Sequence, residues 1–178
     1  MRRFLLPLAC VLAVAPLRAD QDADRLEIVR RARAMIDSTF KGDMTSVLRF
    51  MHPATVKMIG GEEALKKAVV GVAEQMKHIG LEFVSMDVRP PTTFYSRGQK
   101  TFTKVKTTTV MQVPGKVRVT EEGSMIAVRD TPGGEWTFLR VNAQLANDRA
   151  LLKKFFPDFP DDLTLEPPGK PVSEPLSR

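Results

Sequence analysis

The chain changes its hydrophobic period once, near its middle. Over residues 22–41 apolar side chains recur every three or four positions: Leu26, Val29, Ile36 and Phe40, with Ala32 and Met35 beside them. This spacing predicts an amphipathic helix with one buried stripe, and Arg25, Arg30 and Arg31 project from its flanks. Gly42 supplies a left-handed stop and Asp43 a cap for a second helix over 44–51. That helix buries Val47, Leu48 and Met51 and ends at His52-Pro53, because the residue before a proline disfavours helix. A third helix opens at Gly60-Gly61, with Glu62 and Glu63 at the dipole end that favours negative charge. Leu65, Val69, Val72, Met76 and Ile79 read as its core stripe, and Gly80 ends it. Gly71 costs that helix about 1 kcal/mol relative to Ala, which points to a close backbone approach.

From Leu81 onward the period is two. Residues 82–89 form a strand (Phe83, Val84, Met86, Val88) broken by Pro90-Pro91, and 93–96 a short extended piece before the turn at Arg97-Gly98-Gln99. Residues 100–113 and 117–129 are two long β-rich runs joined at Pro114-Gly115-Lys116, the signature of an antiparallel hairpin. With Val113 facing Val117, Met111 falls opposite Val119, Val105 opposite Met125 and Thr103 opposite Ala127, all on one oily face. Gln112 with Arg118, Thr108 with Glu122 and Lys106 with Ser124 make the other face wet, as in a sheet covered on one side only. Strands of about 13 residues, against the usual 5–6, must coil or bend, and Glu121-Glu122-Gly123 is the expected bulge. A last strand spans 135–141, and a helix from about 147 to 156 buries Leu151, Leu152 and Phe155. From Pro157 onward the chain holds six of its thirteen prolines, and 167–178 reads as an unstructured tail.

Helices grouped before strands indicate an α+β class. The expected layout is three N-terminal helices on a curved antiparallel sheet of four to five strands, then a short C-terminal helix. On the strength of helix one, the string GDMTSVLRFMHPATVKMIGGEEAL, the long hairpin and GGEWTFLRV, residues 22–156 resemble the nuclear-transport-factor-2-like superfamily. The resemblance implies a cone whose helices and curved sheet enclose a pocket. It spans isomerases, dehydratases, cyclases, transport factors and domains with no chemistry, so a shared fold gives weak guidance on function.

Composition adds the compartment. Met1-Arg2-Arg3, an apolar stretch over 4–17 and Leu17-Arg18-Ala19 before Asp20 match a secretory signal peptide cleaved after Ala19. The apolar run is too short for a permanent anchor, which needs about 20 residues. The domain reading is a signal over 1–19, an α+β domain over 20–157 and a Pro-rich tail over 158–178. The mature chain is then periplasmic or secreted. The rival reading is a lipoprotein site at Leu8-Ala9-Cys10, with Cys10 acylated; Pro7 stands where such a site wants an aliphatic residue. Loss of Arg2, Arg3 and Arg18 halves the formal net charge of +6. Cys10 is the single cysteine, so the mature chain has no disulfide or thiolate chemistry.

Candidate chemistry is sparse. Enzymes of the resembling superfamily set an aspartate base and a tyrosine or second acid around an apolar cavity; this chain departs from that pattern. Its single tyrosine, Tyr95, falls after Pro90-Pro91 rather than on a helix facing the sheet. Glu121 shares the oily face with Thr109, Met111 and Val119, where a carboxylate suits acid–base work, with Asp87 or Tyr95 as its partner. Against that, a bulge at Gly123 turns Glu121 to solvent and aims Glu122 inward. His52 and His78 both sit at helix ends, where the dipole alone favours histidine, and two isolated histidines without cysteine predict no metal. Lys100, Lys104, Lys106, Lys116 and Arg118 lie on the outer hairpin face, but only Phe102 is near for base stacking. A solvated face rather than nucleic-acid binding follows.

Met35, Met76, Thr109, Met111, Val119 and Met125 are the expected pocket lining, since methionine adapts to irregular space; a plain core has the same texture. The leading expectation is an exported, non-catalytic binding or dimerisation domain with an apolar pocket. It takes a small apolar ligand, pairs with a second copy through the sheet face, and has no cofactor, nucleic-acid partner or integral membrane segment. The alternatives are a small isomerase or hydrolase using Glu121, and an envelope lipoprotein tethered through Cys10.

Overall fold

The computed structural model describes residues 15–176, with side chains from residue 20. Arg2, Arg3 and Cys10 lie outside the described residues. The order of elements is α1 (Ala15–Lys41), α2 (Met44–Phe50), α3 (Pro53–Ile59), α4 (Glu62–His78), β1 (Glu82–Val88) and β2 (Phe94–Arg97). Then come β3 (Lys100–Val113), β4 (Val117–Arg129), β5 (Thr137–Arg140), α5 (Ala143–Asn147), α6 (Arg149–Phe155) and β6 (Val172–Pro175). It is an α+β fold, with helices first, then a curved, unclosed antiparallel sheet of six strands, and short C-terminal helices. No helix among the described residues is long and apolar enough to cross a membrane.

The hairpin is the frame. β3 and β4 pair without interruption from Thr101 opposite Arg129 to Val113 opposite Val117, in the register that the alternation predicts. No bulge interrupts them at Gly123, which faces Thr107 squarely; the register shift lies instead in β1, between Phe83 and Ser85. What changes along the hairpin is its edge partners. β3 pairs with β2 over Lys100–Thr103 and with β1 over Thr107–Gln112, while β4 pairs with β5 over Met125–Val128 and with β6 over Val117–Thr120.

The inner face carries the first core. Val105, Met125, Ala127 and Phe138 of the sheet pack with Ile28, Ala32, Met35 and Ile36 of α1 and with Trp136. The expected stripe of α1 holds at Val29, Ala32, Met35, Ile36 and Phe40 and fails only at its first residue. Leu26 is 74% exposed, and Ile28, two residues on and about 200° further round the helix, is fully buried. Arg31 is not a flank residue but is buried. Its Nε donates to the Trp136 carbonyl at 2.9 Å, its Nη2 to Glu135 at 3.0 Å, and its guanidinium lies over the Phe50 ring.

The outer face is not simply wet, which corrects the one-sided reading. At the open end of the hairpin Phe102, Ile126 and Val128 join Leu139 and Val141 under Leu145, Leu152, Phe156, Phe159 and Leu163. That second core gives α5, α6 and the segment beyond them their place. The unstructured tail is corrected with it. Lys104 bonds Glu166 at 2.8 Å, the Gly169 N–H donates to the Glu122 carbonyl at 2.9 Å, and β6 adds a strand to β4. Proline-rich composition does not prevent this, because an edge strand tolerates a residue with no N–H to give.

Two further corrections concern the helices. α2 ends before His52-Pro53 as expected, but the pair also starts a helix that the sequence reading lacked, α3, with His52 as N-cap and Pro53 in the first turn, and Gly60 stops it in the left-handed conformation at φ 103°. α4 buries only Leu65; Val69 and Met76 are half-buried, while Val72 and Ile79 are exposed. Nothing approaches Gly71, so no close backbone contact accounts for it.

Candidate functional site

A cavity of about 290 Å³ lies between the helices and the inner face of the sheet. Its walls come from Val47 of α2, Leu65, Val69 and Met76 of α4, and Met86, Thr109, Met111, Met125 and Phe138 of the sheet. It exists because α4 spans the sheet without packing down on it: the helix is anchored through Leu65 near its start, and its next apolar residues look into space. A second hollow of about 560 Å³ shares Thr39, Phe40, Val69, Val72, Met76 and Arg140 with the cavity and continues past Lys77 and Phe83 to the surface.

Of the residues expected to line a pocket, Met35, Met76, Thr109, Met111 and Met125 stand in the cavity wall. Val119 shares their face of β4 but falls beyond the wall. Glu121 lines the cavity, with its side chain 22% exposed; Glu122, with no bulge to turn it, stays on the outer face at 72%. Arg140, at the end of β5, donates from Nη2 to Glu121 Oε1 at 2.9 Å. The result is an ion pair at the junction of cavity and outer hollow, its arginine well exposed. Arg140 is the residue that sequence reasoning missed. The signal was available: two residues after Phe138 in a strand, it must share Phe138's face.

Glu121 is not joined by its expected partners. Asp87 pairs in register with Thr108, away from the cavity, and lies 3.9 Å from Arg33 and 3.8 Å from Arg89. Tyr95 faces Phe102 and packs against the second core, on the opposite side of the sheet. The wall instead contributes the Thr107 and Thr109 hydroxyls, neither of which has a side-chain hydrogen bond among the described residues.

Two other polar groups are deeply set. His52 is 6% exposed. Its Nδ1 accepts from the Ala54 N–H at 3.0 Å, and Nε2 lies 3.1 Å from Asp130 Oδ2. Burial holds its pKa below the ordinary value, and the Asp130 carboxylate only partly offsets that. Asp24 takes hydrogen bonds from Arg129 Nη1 at 2.6 Å and Trp136 Nε1 at 3.1 Å, while the Arg129 guanidinium lies 4.7 Å from the indole centroid. Both groups fasten helices to the end of the sheet, and neither opens on a cavity wall. Among the described residues no three histidine, cysteine, aspartate or glutamate side chains gather as metal ligands do.

The chain was compared with protein-family models, with curated proteins and with solved structures, and none of the three gave a match.

Proposed function

We propose that this chain is an exported, non-catalytic binding domain of the nuclear-transport-factor-2-like kind, holding a small, largely apolar ligand between its helices and its sheet. The observation that carries the reading is the cavity of about 290 Å³ walled by Met35, Met51, Met76, Met86, Met111 and Met125. Its size is near the lower end of natural ligand pockets, about 300 Å³, and methionine walls adapt to varied apolar shapes. The helix-then-sheet order supports the kinship. A binding role is further supported by the polar groups: the cavity carboxylate is held by Arg140, and Asp87 and Tyr95 stand elsewhere.

The test is uptake of an apolar fluorescent probe by the wild type and by Val69→Trp, which fills the cavity from a half-exposed position on α4. Saturable uptake lost in the variant, with the far-ultraviolet circular dichroism unchanged, supports the reading. Equal uptake by both proteins removes it.

A second reading, an isomerase or hydrolase, draws on one observation: Glu121 faces an apolar space. It requires that substrate displace Arg140, and turnover abolished by Glu121→Gln would favour it.

Export is the remaining part of the proposal and rests on the residues before Asp20. Mass spectrometry of the natively produced chain separates a start at Asp20 from an acylated Cys10. Pairing of two copies through the outer sheet face has only part of that face to use, because Leu152, Phe156, Phe159 and Leu163 cover the rest. Sedimentation at high concentration tests it.

A further inference from the structure

The ion pair at the cavity junction restricts what the ligand's polar end can be. Glu121 and Arg140 each use one atom on the other, Oε1 and Nη2. That leaves Glu121 Oε2 as an acceptor and Arg140 Nε and Nη1 as donors, side by side where the apolar cavity meets the outer hollow. An anionic head placed there meets the Glu121 carboxylate, and a cationic head meets the Arg140 guanidinium. Each encounter offsets the attraction to the other member of the pair, so a full charge gains little there. A neutral head that both gives and accepts hydrogen bonds satisfies the two spare functions together, and charge-assisted hydrogen bonds of this kind are the strong ones.

The walls restrict the other end. A cavity of about 290 Å³ holds roughly ten groups the size of a water molecule, at about 30 Å³ each. Six methionines line it, and their flexible thioethers suit an unbranched chain that has no fixed shape of its own.

Resting on the binding reading above, we infer that the ligand is a neutral single-chain amphiphile. Its chain of about eight carbons fills the cavity, and a carboxamide or hydroxyl head bridges Glu121 and Arg140. Anything attached beyond the head runs out past Met76, Lys77 and Phe83 through the wider hollow.

The experiment is isothermal titration of the purified full chain at pH 7 with four probes of one chain length: octanamide, 1-octanol, octanoate and octylammonium. Octanamide and octanol are expected to bind at least tenfold more tightly than either charged probe. In Glu121→Gln octanoate gains at least fivefold on octanamide, and in Arg140→Met octylammonium does so. Both positions are partly exposed, so the variants are expected to fold, and thermal melts check it. Octanoate or octylammonium binding as tightly as octanamide to the wild type overturns the head assignment alone, provided Val69→Trp abolishes that binding. Failure of all four probes to bind overturns this inference. If the fluorescent probe also fails to distinguish wild type from Val69→Trp, the binding reading falls with it.

Discussion

The ring of His52 joins Asp130, in the turn after β4, to the first turn of α3: Nε2 lies 3.1 Å from the carboxylate and Nδ1 accepts the Ala54 N–H at 3.0 Å. An Nδ1 that accepts carries no proton, so the ring is neutral with its hydrogen on Nε2, and both contacts require that tautomer.

This sets a pH dependence. Burial lowers the folded-state pKa of His52 from the model-peptide value of 6.5. Between the two values the unfolded chain binds a proton that the folded chain does not, so stability rises with pH. The contribution is fully present above about pH 6.5 and is lost as pH falls through the folded pKa. Urea midpoints from pH 7.5 to 5 are expected to fall in the wild type and to flatten in His52→Asn, which keeps a capping side chain but has no titration. Parallel slopes in the two proteins would exclude His52 as the source.

The Asp24 carboxylate, 17% exposed, is the common acceptor for the Arg129 guanidinium and the Trp136 indole. Asp24→Ala strands both donors at the end of the sheet. The expected loss is about 3 kcal/mol, at the low end for breaking a buried pair because the site is partly wet. Asp22→Ala removes a carboxylate that is 71% exposed and bonded only to Arg25 one turn away, and is expected to cost under about 0.5 kcal/mol. Denaturant unfolding of the two variants separates them.

The segment after α6 contributes to stability despite its composition. Phe159 is 3% exposed and meets the Phe102 ring edge-on at 5.7 Å. Phe159→Ala is expected to cost about 3–4 kcal/mol, as for a core aromatic. Ending the chain at residue 170 removes β6, whose four residues are all exposed, together with the Leu176 N–H bond to the Lys116 carbonyl, and is expected to cost about 1 kcal/mol. Unfolding curves for the two variants give the comparison.

Gly123 offers a test of the unbroken ladder. It has no left-handed backbone angle, and a Cβ there would sit 3.5 Å from Thr107 Oγ1, an ordinary contact. Gly123→Ala is therefore expected to stabilise by about 0.5 kcal/mol, by lowering the entropy of the unfolded chain. A loss above about 1 kcal/mol on thermal unfolding would instead point to a bulge.

The register of the hairpin was legible because its alternation is strict and Pro114-Gly115 marks the turn, although the bulge expected at Gly123 is absent. In that frame Glu121 inward and Glu122 outward follow from parity alone. Other parts were hidden for separate physical reasons. Seven residues are too few to show a helical period, so α3 appears only through its proline start and glycine stop. The second core was written in the unbroken run Met125-Ile126-Ala127-Val128, since a strand apolar on both faces needs cover on both. Alternation measured from Val113 and Val117 obscured it. The stripe of α4 is real in sequence yet half-empty in space, because periodicity reports which face is oily and not whether anything fills it. The same gap between pattern and packing left Arg140 unnoticed until β5 was placed beside β4.

Both long strands hand over from one edge neighbour to the next part-way along: β3 near Lys104–Lys106, β4 near Glu121–Ser124. These handovers lie almost across from each other, so across that stretch the central ladder is supported by single backbone bonds, from the Arg89, Val141 and Gly169 N–H groups to the Lys106, Ser124 and Glu122 carbonyls. Residues 169–175 attach to the outer edge of that stretch, through the Glu122 carbonyl and the β4–β6 ladder, so the end of the chain braces the strand that carries Glu121 without lining the cavity itself.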